Sequence, residues 1–398
     1  MSASPLIMRT EFIRWKNRNA LTLNNGSLLV TLLAGGGHIA DLRVTDPHGL
    51  SPNLLWESPW ATADPDSVEF PRLAELYGGA PIGPFLAGYT GHTLCLDTFG
   101  VPSPENAVCG IPLHGEASVR MWQLVPSDDG CEMHVTLPVS QLEFSRSIRM
   151  GKSQSVLYIE ECLKNTGPDA REVHWVQHVS LGPLLLSAEN SFLRASVDRC
   201  RTWPDGYEGR QILPDNVDFA WPIAPMIGGG TTDLRLPFQH EGKGFLGAAH
   251  VAESSTVAYF AALNPRDRLA LVYCFRREEF PWIAIWEENA ARSSAPWNGN
   301  TRVRGMEFGT TPMPLGREAI HAMDTLFNSP VSRSLAAGAK GYARYAICAA
   351  RIPRGLRAVE AIGISEQGVT LTNHDQTDSV VIAADGILQF LTERQNTE

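Results

Sequence analysis

Hydrophobic and polar side chains alternate along short stretches of this chain, most clearly between Leu142 and Met150. Large apolar residues occupy every second position of that stretch, with one exception, Arg146. A period of two predicts a β-strand with one buried face. Arg146 would then point into the core, where an unpaired cation is costly, so we expect it to have a buried partner.

Similar runs recur between short segments rich in glycine and proline, which predicts a chain built mainly of β-strands. The runs are residues 27–33, 38–44, 132–139, 156–163, 172–180, 257–263, 269–275, 282–287, 343–352 and 368–372. Helical spacing is confined to residues 69–77 and 318–328. No repeat of about 20 to 50 residues is evident, which argues against a propeller or a solenoid.

This pattern defines the expected fold class. Strands and helices do not alternate, so a doubly wound parallel sheet is disfavoured. We predict an all-β protein, a large antiparallel sandwich of about 20 strands with few short helices. No linker divides the sequence, so a single domain over residues 1–398 is expected. The loop-rich stretches 46–110 and 194–244 are the predicted location of a binding site, because long ordered loops on a sheet scaffold carry function.

Composition and charge narrow the function classes. Of the 398 residues, 43% are hydrophobic, and the formal net charge is −10. An acidic chain is a poor ligand for nucleic acid or anionic membranes, and no apolar stretch approaches the roughly 20 residues that cross a bilayer. The N-terminus lacks a secretory-signal pattern, and the seven cysteines are scattered without C-x-x-C spacing. We therefore expect a cytoplasmic protein without a disulfide framework or a zinc knuckle.

Titratable residues that could carry chemistry are concentrated in one stretch, which contains His92, Asp97, Glu105, His114 and Glu116. His114 and Glu116 are two positions apart, so on a strand both would point to the same side. His114 also lies beside a glycine and proline turn, where binding and catalytic residues are common.

Two further candidates lie later in the chain. His178 precedes a Gly-Pro turn, and Glu307 lies between two apolar residues in a glycine-flanked run. A carboxylate in apolar surroundings has a raised pKa, which suits a proton acceptor working near neutral pH. The alternative for Glu307 is a structural role as the partner of Arg146 or Arg304.

Three tryptophans that lie shortly before Glu307 in the sequence suggest carbohydrate binding. They are Trp282, Trp286 and Trp297. Aromatic faces stack on the C–H face of sugar rings, whereas Asp, Glu, His and Arg bind hydroxyl groups. The glycine runs at 35–37 and 228–230 match neither a P-loop nor a dinucleotide fingerprint, so no nucleotide cofactor is expected.

Three motifs, in this order and in this β-rich context, resemble the galactose mutarotase-like (aldose 1-epimerase-like) superfamily. They are Leu113-His-Gly115, Gln177-His178 and Gly305-Met-Glu-Phe-Gly309. The resemblance implies a β-supersandwich of two large antiparallel sheets, with its core over residues 15–370 and a sugar on the concave face. It implies a carbohydrate mutarotase that interconverts sugar anomers by general acid/base catalysis. That mechanism needs no cofactor or metal, and a sandwich protein of this size is expected to be a monomer or a homodimer.

The same resemblance assigns roles to residues. The implied catalytic residues are His178 as general acid, Glu307 as general base and His114, which would orient or polarise the sugar. The candidate substrate-binding residues come from the titratable cluster and the tryptophans described above, and they are His92, Asp97, Glu116, Arg146, Trp286 and Trp297. The superfamily also places an arginine and an aspartate near the sugar, for which Arg72 or Arg146 and Asp218 are the candidates. Residues 92–105 and Glu116 depart from galactose-specific members, which predicts a different sugar or a different use of the site.

Three other functions use the same residues. A non-catalytic carbohydrate-binding protein would need the aromatic loops but no acid–base pair. A metal-dependent sugar enzyme would draw its ligands from His92, His114, Glu116 and His178. A glycoside hydrolase or lyase would pair Glu307 with Asp97 or Glu116.

Overall fold

The structure, a computed structural model, describes residues 8–46, 49–67, 70–354, 356, 359–373 and 378–393. These residues form 29 strands and five short α-helices, which confirms the all-β class. There are more strands than the predicted number because several have only two or three residues, too short to leave a pattern in the sequence.

The strands in chain order are β1 (Arg9–Trp15), β2 (Arg18–Asn24), β3 (Leu28–Leu33), β4 (Ile39–Asp46), β5 (Gly49–Leu50), β6 (His92–Leu96), β7 (Gln123–Pro126), β8 (Gly130–Leu137), β9 (Leu142–Met150), β10 (Val156–Asn165), β11 (Arg171–Val173), β12 (Trp175–Leu181), β13 (Phe192–Ala195), β14 (Val197–Thr202), β15 (Asp218–Ala220), β16 (Ile223–Pro225), β17 (Thr231–Asp233), β18 (Lys243–Val251), β19 (Val257–Asn264), β20 (Leu269–Arg276), β21 (Trp282–Asn289), β22 (Arg302–Gly309), β23 (Thr325–Leu326), β24 (Ser329–Pro330), β25 (Arg333–Leu335), β26 (Lys340–Arg351), β27 (Ala361–Ser365), β28 (Gly368–Thr372) and β29 (Ser379–Ala383). The helices are α1 (Phe70–Tyr77), α2 (Gly83–Gly88), α3 (Pro104–Val108), α4 (Arg317–Met323) and α5 (Ile387–Thr392). None of the described helices has the length and apolarity that crossing a membrane requires.

Two antiparallel sheets form the body of the protein, as the resemblance implied. The larger sheet has 12 strands, in the order β1-β2-β3-β4-β6-β12-β22-β21-β18-β14-β15, with β5 paired to β4. The smaller sheet has eight strands, in the order β13-β19-β20-β26-β10-β9-β8-β7. The remaining strands form small sheets, which are β11-β25, β16-β17, β23-β24 and β27-β28-β29.

The two large sheets pack face to face around the main core, and Phe308 of β22 shows the contact. Its ring stacks on Phe275 of β20 at 4.4 Å and meets Tyr345 of β26 edge-on at 5.3 Å. Side chains alternate between the faces of a strand, so the neighbours of Phe308 on β22 point away from this core. The outer face of the 12-stranded sheet is therefore free to carry polar side chains.

Most predicted strands are present, but one predicted strand is divided into two strands and one predicted helix is shorter than expected. The expected strand at 172–180 is divided into β11 and β12, which belong to different sheets. The expected helix at 318–328 stops at Met323, because Asp324, Phe327 and Asn328 have left-handed φ angles of 58°, 53° and 63°. The helix expected at 69–77 is present from Phe70 to Tyr77, and residue 69 lies outside the described residues.

Arg146 has the buried partner that the sequence pattern predicted, because it forms an ion pair with Glu161 between the sheets. The Arg146 guanidinium donates to Glu161 Oε1 at 2.7 Å, and both side chains are fully buried. Arg146 also donates to Gln177, whose amide donates to the second oxygen of Glu161 at 2.7 Å. A buried charge pair is tolerated only when such additional hydrogen bonds satisfy both groups.

Replacing Arg146 with alanine would leave the Glu161 carboxylate buried without a cation. We expect the free energy of unfolding to fall by about 3–5 kcal/mol, measured by urea unfolding. Arg149→Ala is the matched control, because Arg149 lies on the same strand but pairs with Glu160 at the surface. The free energy of unfolding of Arg149→Ala should fall by less than about 1 kcal/mol. Equal losses in the two variants would contradict a buried, structural role for Arg146.

Candidate active site

A cavity of about 560 Å³ lies on the outer face of the 12-stranded sheet. Side chains from β12, β21 and β22 form its floor. Its walls come from residues 77–101, around α2, from residues 203–208 and from residues 292–297. The first two wall segments fall largely within the loop-rich stretches that the sequence identified, so the prediction that these loops form a site for ligands agrees with the position of the cavity.

The floor of the cavity brings His178 and Glu307 together. They occupy paired positions on the antiparallel strands β12 and β22, so their side chains lie on the same face. His178 Nε2 is 3.3 Å from Glu307 Oε1. The two arginines considered as structural partners of Glu307 bind other carboxylates instead. The structural alternative for Glu307 is therefore not supported.

Burial controls the charge of this pair. Desolvation raises the pKa of Glu307 well above its usual value. Desolvation also lowers the pKa of His178 to about 3, against a smaller opposing effect of a hydrogen bond with its own backbone. Because both shifts favour the uncharged forms, His178 is neutral at neutral pH. An imidazolium acting as general acid, as the resemblance implied, does not fit these surroundings.

His114 also lines the cavity, and its tautomer is set by the backbone. The Gly100 amide donates to His114 Nδ1 at 3.2 Å, so the proton of the neutral ring lies on Nε2. Burial lowers the pKa of His114 well below its usual value, which keeps the ring neutral. The His114 ring centre lies 5.2 Å from that of His178. His114 therefore presents an N–H donor next to the pair.

Aromatic rings surround the three polar groups. Trp286 lies edge-on to His178, with the ring centres 6.0 Å apart, and Trp297 is 5.9 Å beyond it. On the other side, Phe85 packs against His114 at 4.8 Å and Tyr89 against His178 at 5.4 Å. The cavity thus combines stacking surfaces with a small polar centre, which is typical of ligand sites.

Sequence reasoning missed Arg292, which lines the same cavity. Its guanidinium lies over the rings of Tyr207, Trp286 and Trp297, at 4.6, 5.7 and 5.1 Å. Its Nε lies 3.4 Å from a carboxylate oxygen of Glu208 and 3.8 Å from one of Glu288, and the guanidinium makes no hydrogen bond to any residue that the structure describes. Its terminal N–H groups are therefore available to a ligand. Its position between two cavity tryptophans in the sequence was the one available signal.

Two of the predicted substrate-binding residues, His92 and Arg146, lie between the sheets rather than in the cavity. His92 Nε2 is 3.0 Å from Gln177 Oε1, and its ring packs against Tyr273 of the smaller sheet. Arg146 holds the buried network with Glu161. His92 faces inwards because it follows the opposite alternation to Thr93, the residue paired with His178, and Arg146 faces inwards from the smaller sheet. Their predicted roles are therefore corrected to structural ones.

Asp97 and Glu116 also lie off the cavity, held by arginines. Asp97 accepts hydrogen bonds from Arg171, at 2.6 Å to each oxygen, and from Arg317. Glu116 is bound by Arg120 and accepts from the Ser140 amide at 3.0 Å. Both carboxylates fix the loops around His114, so we remove them from the substrate-binding set. This also removes the partners that a glycosidase would need beside Glu307.

The remaining candidates do not add to the site. Asp218 pairs with Arg201 at the protein surface and does not line the cavity. The side chain of Arg72 lies outside the described residues. Across the part of the chain that the structure describes, no group of three or more His, Cys, Asp or Glu side chains is arranged to hold a metal ion. Of the proposed metal ligands, His92 faces the inner core and Glu116 is bound by arginine.

Comparisons with known proteins identify the fold. No protein-family model and no curated protein sequence matches the chain. A proposed aldose 1-epimerase from Klebsiella pneumoniae is 14% identical, with a TM-score of 0.61 over 87% of this chain and 84% of that chain. A galactose mutarotase-like protein from Clostridium acetobutylicum is 12% identical, with a TM-score of 0.56 over 87% and 99%. Another from Lactobacillus casei is 10% identical, with a TM-score of 0.53 over 83% and 100%. At these identities the likeness shows the fold, which is the one that the sequence motifs predicted.

Because Gly305 has no side chain, the Glu307 carboxyl group can lie beside it. A substitution at Gly305 therefore tests the geometry of the site. A methyl group at Gly305 would overlap Glu307 Oε1 and lie 3.1 Å from the Trp286 ring. We expect Gly305→Ala to cost about 1–3 kcal/mol of stability and to shift the side-chain ¹⁵N signals of His178. Gly363→Ala is the control, because the nearest atom to its added methyl is 3.9 Å away. Unchanged His178 signals in Gly305→Ala would contradict this geometry.

Proposed function

We propose that this chain, which has the galactose mutarotase-like fold, is an aldose 1-epimerase-like mutarotase that interconverts the anomers of a sugar. The observation that carries the proposal is the contact between His178 and Glu307 inside an aromatic cavity. Anomer exchange requires an acid–base group close to O1 and O5, which are bonded to the same carbon. A carboxyl beside two N–H donors meets that requirement.

The proposed mechanism moves one proton. Glu307, as a carboxylate, accepts the proton of the O1 hydroxyl while the C1–O5 bond breaks, which gives the open-chain aldehyde. The neutral carboxylic acid then donates the same proton to O5. The N–H groups of His178 and His114 stabilise the charge that develops on O5. Rotation about C1–C2 and the reverse steps close the ring on the other face, so protons and electrons balance.

The cavity walls favour a sugar as the ligand. Trp286 and Trp297 offer faces for stacking on the C–H side of a pyranose ring. Arg292, whose guanidinium has unused donors, is placed to bind hydroxyl groups distant from the anomeric carbon. The substrate-binding set we propose is therefore Trp286, Trp297 and Arg292, with Arg292 replacing the arginine candidates taken from the sequence.

Replacing Glu307 with glutamine tests the catalytic role. The exchange rate of sugar anomers, measured by NMR with a panel of aldoses, should fall by about 10²–10⁴-fold, because the amide cannot accept and return the proton. Folding should persist, since glutamine has nearly the same shape and no charge is buried. Glu189→Gln, an exposed substitution, is the control. An unchanged rate in Glu307→Gln would remove Glu307 from the mechanism, and a wild type that binds a sugar without accelerating exchange would indicate a binding protein.

Replacing Arg292 with lysine tests its part in binding. Lysine keeps the charge but loses the planar group that stacks on three rings and the fork of donors. We expect KM to rise roughly 10-fold while kcat changes little, because the lost contacts are distant from the reacting atoms. Arg302→Lys, on an exposed part of β22, is the control. A fall in kcat with an unchanged KM would show that Arg292 acts on the chemistry instead.

A further inference from the structure

Behind His178, on the side away from Glu307, lies a short chain of hydroxyl groups. Tyr89 Oη is 2.6 Å from Ser180 Oγ, and Ser180 Oγ is 3.3 Å from His178 Nδ1. All of these side chains are buried, and Ser180 is on the same strand and face as His178. The mechanism above assigns no task to Tyr89 or Ser180.

We propose that Tyr89 and Ser180 are positioning residues that hold the proton of the neutral His178 ring on Nε2, where it faces Glu307 and the cavity. The kinetic part of this proposal rests on the proposed mutarotase function. The structural part concerns only the position of one proton, and it is measurable without a substrate.

The direction of the chain follows from counting donors and acceptors. Each hydroxyl has one proton, and Ser180 is the only hydrogen-bond partner of the Tyr89 hydroxyl among the described residues. If Tyr89 donates to Ser180, then Ser180 donates to His178 Nδ1, and every hydroxyl proton is used. If the ring carries its proton on Nδ1 instead, one hydroxyl proton is left buried without an acceptor, which is costly. This holds whether Nδ1 donates to Ser180 or to the backbone of His178 itself, the contact that opposes the lowering of its pKa.

The contact that His178 makes through Nε2 is consistent with Ser180 donating to Nδ1. With Nδ1 accepting, the ring proton lies on Nε2, which is 3.3 Å from Glu307 Oε1. The N–H can donate to Glu307 Oε1 in the free protein and to a sugar oxygen in the complex. The arrangement matches that of His114, whose Nδ1 accepts from the Gly100 amide. Both histidines would then present Nε2–H donors at the same cavity.

The hydroxyl chain fixes a tautomer and does not conduct protons. Proton conduction would require Tyr89 to lose its phenol proton, but burial raises the pKa of Tyr89 well above its usual value, and Glu307 adds to the shift. Tyr89 therefore keeps its proton throughout. His178 stays a neutral donor, and Glu307 remains the group that carries the proton between sugar oxygens.

The test reads the tautomer of His178 by ¹⁵N NMR of histidine-labelled protein at pH 7. A protonated and an unprotonated ring nitrogen have widely different ¹⁵N shifts, so we expect Nδ1 to be unprotonated and Nε2 to be protonated in the wild type. A Nδ1–H tautomer or an imidazolium in the wild type would overturn the proposal. Because this measurement uses the wild-type protein, it tests the proposal even if a variant does not fold.

Ser180→Ala removes the donor to Nδ1, and we expect the two His178 nitrogen signals to move towards each other as the second tautomer becomes populated. Tyr89→Phe should shift them less, in the same direction. Ser329→Ala is the matched control, because Ser329 Oγ binds the ring of His250, at 2.7 Å, outside the cavity. It should alter the His250 signals alone. His178 signals that stay unchanged in Ser180→Ala would overturn the proposal.

Kinetics provide the second readout. With an aldose that the wild type converts, Ser180→Ala should lower kcat by roughly 10-fold or more with little change in KM, as at other sites where an outer hydrogen bond sets a tautomer.

In the wild type, the rate should rise with pH as Glu307 ionises through its raised pKa, and it should not fall again up to pH 9. A falling limb near pH 7 would show a required imidazolium and overturn the neutral-donor role. Absence of exchange with every aldose would reject the mutarotase function while leaving the tautomer result intact.

Discussion

The antiparallel register between β12 and β22 is the constraint on which the site depends. It sets His178 opposite Glu307, and it turns both side chains to the face of the sheet that is not packed against the second sheet. Phe308, the next residue on β22, locks that register by packing into the inner core. A slip by one residue would exchange the two faces and bury Glu307 between the sheets.

Burial then sets the chemical character of the pair. The cavity keeps a carboxyl and two imidazoles away from bulk water, so each of them favours its neutral form. Neutral imidazoles are hydrogen-bond donors of fixed direction, and a carboxyl with a raised pKa both accepts and returns a proton near neutral pH. The aromatic walls contribute the low dielectric as well as the surface for a ligand. The same burial that shifts these pKa values therefore suits the site to the anomer exchange proposed above.

Sequence patterns predicted the fold class and the central residues because both depend on local alternation and short motifs. The motifs around His114, His178 and Glu307 predicted that these residues would meet, and in the structure they do. Alternation correctly predicted that Arg146 points into the core, but placing His92 and Arg146 in the substrate-binding set was wrong, because alternation does not show which face of a sheet carries the cavity. Arg292 escaped notice because its role comes from stacking on rings that are distant in sequence, such as Tyr207. Such contacts depend on how loops fold over the sheet, which short-range patterns do not encode.

The proposed site depends on Glu307 being a desolvated carboxyl, with a pKa raised well above the ordinary glutamate value, beside a neutral histidine. The most direct measurement is a pH titration of the glutamate side-chain carboxyl carbons by ¹³C NMR, with Glu307→Gln used to assign the signal. We expect the Glu307 signal to titrate well above the ordinary glutamate range. Titration at or below that range would show an ionised, solvated carboxylate and would rule out this description of the site.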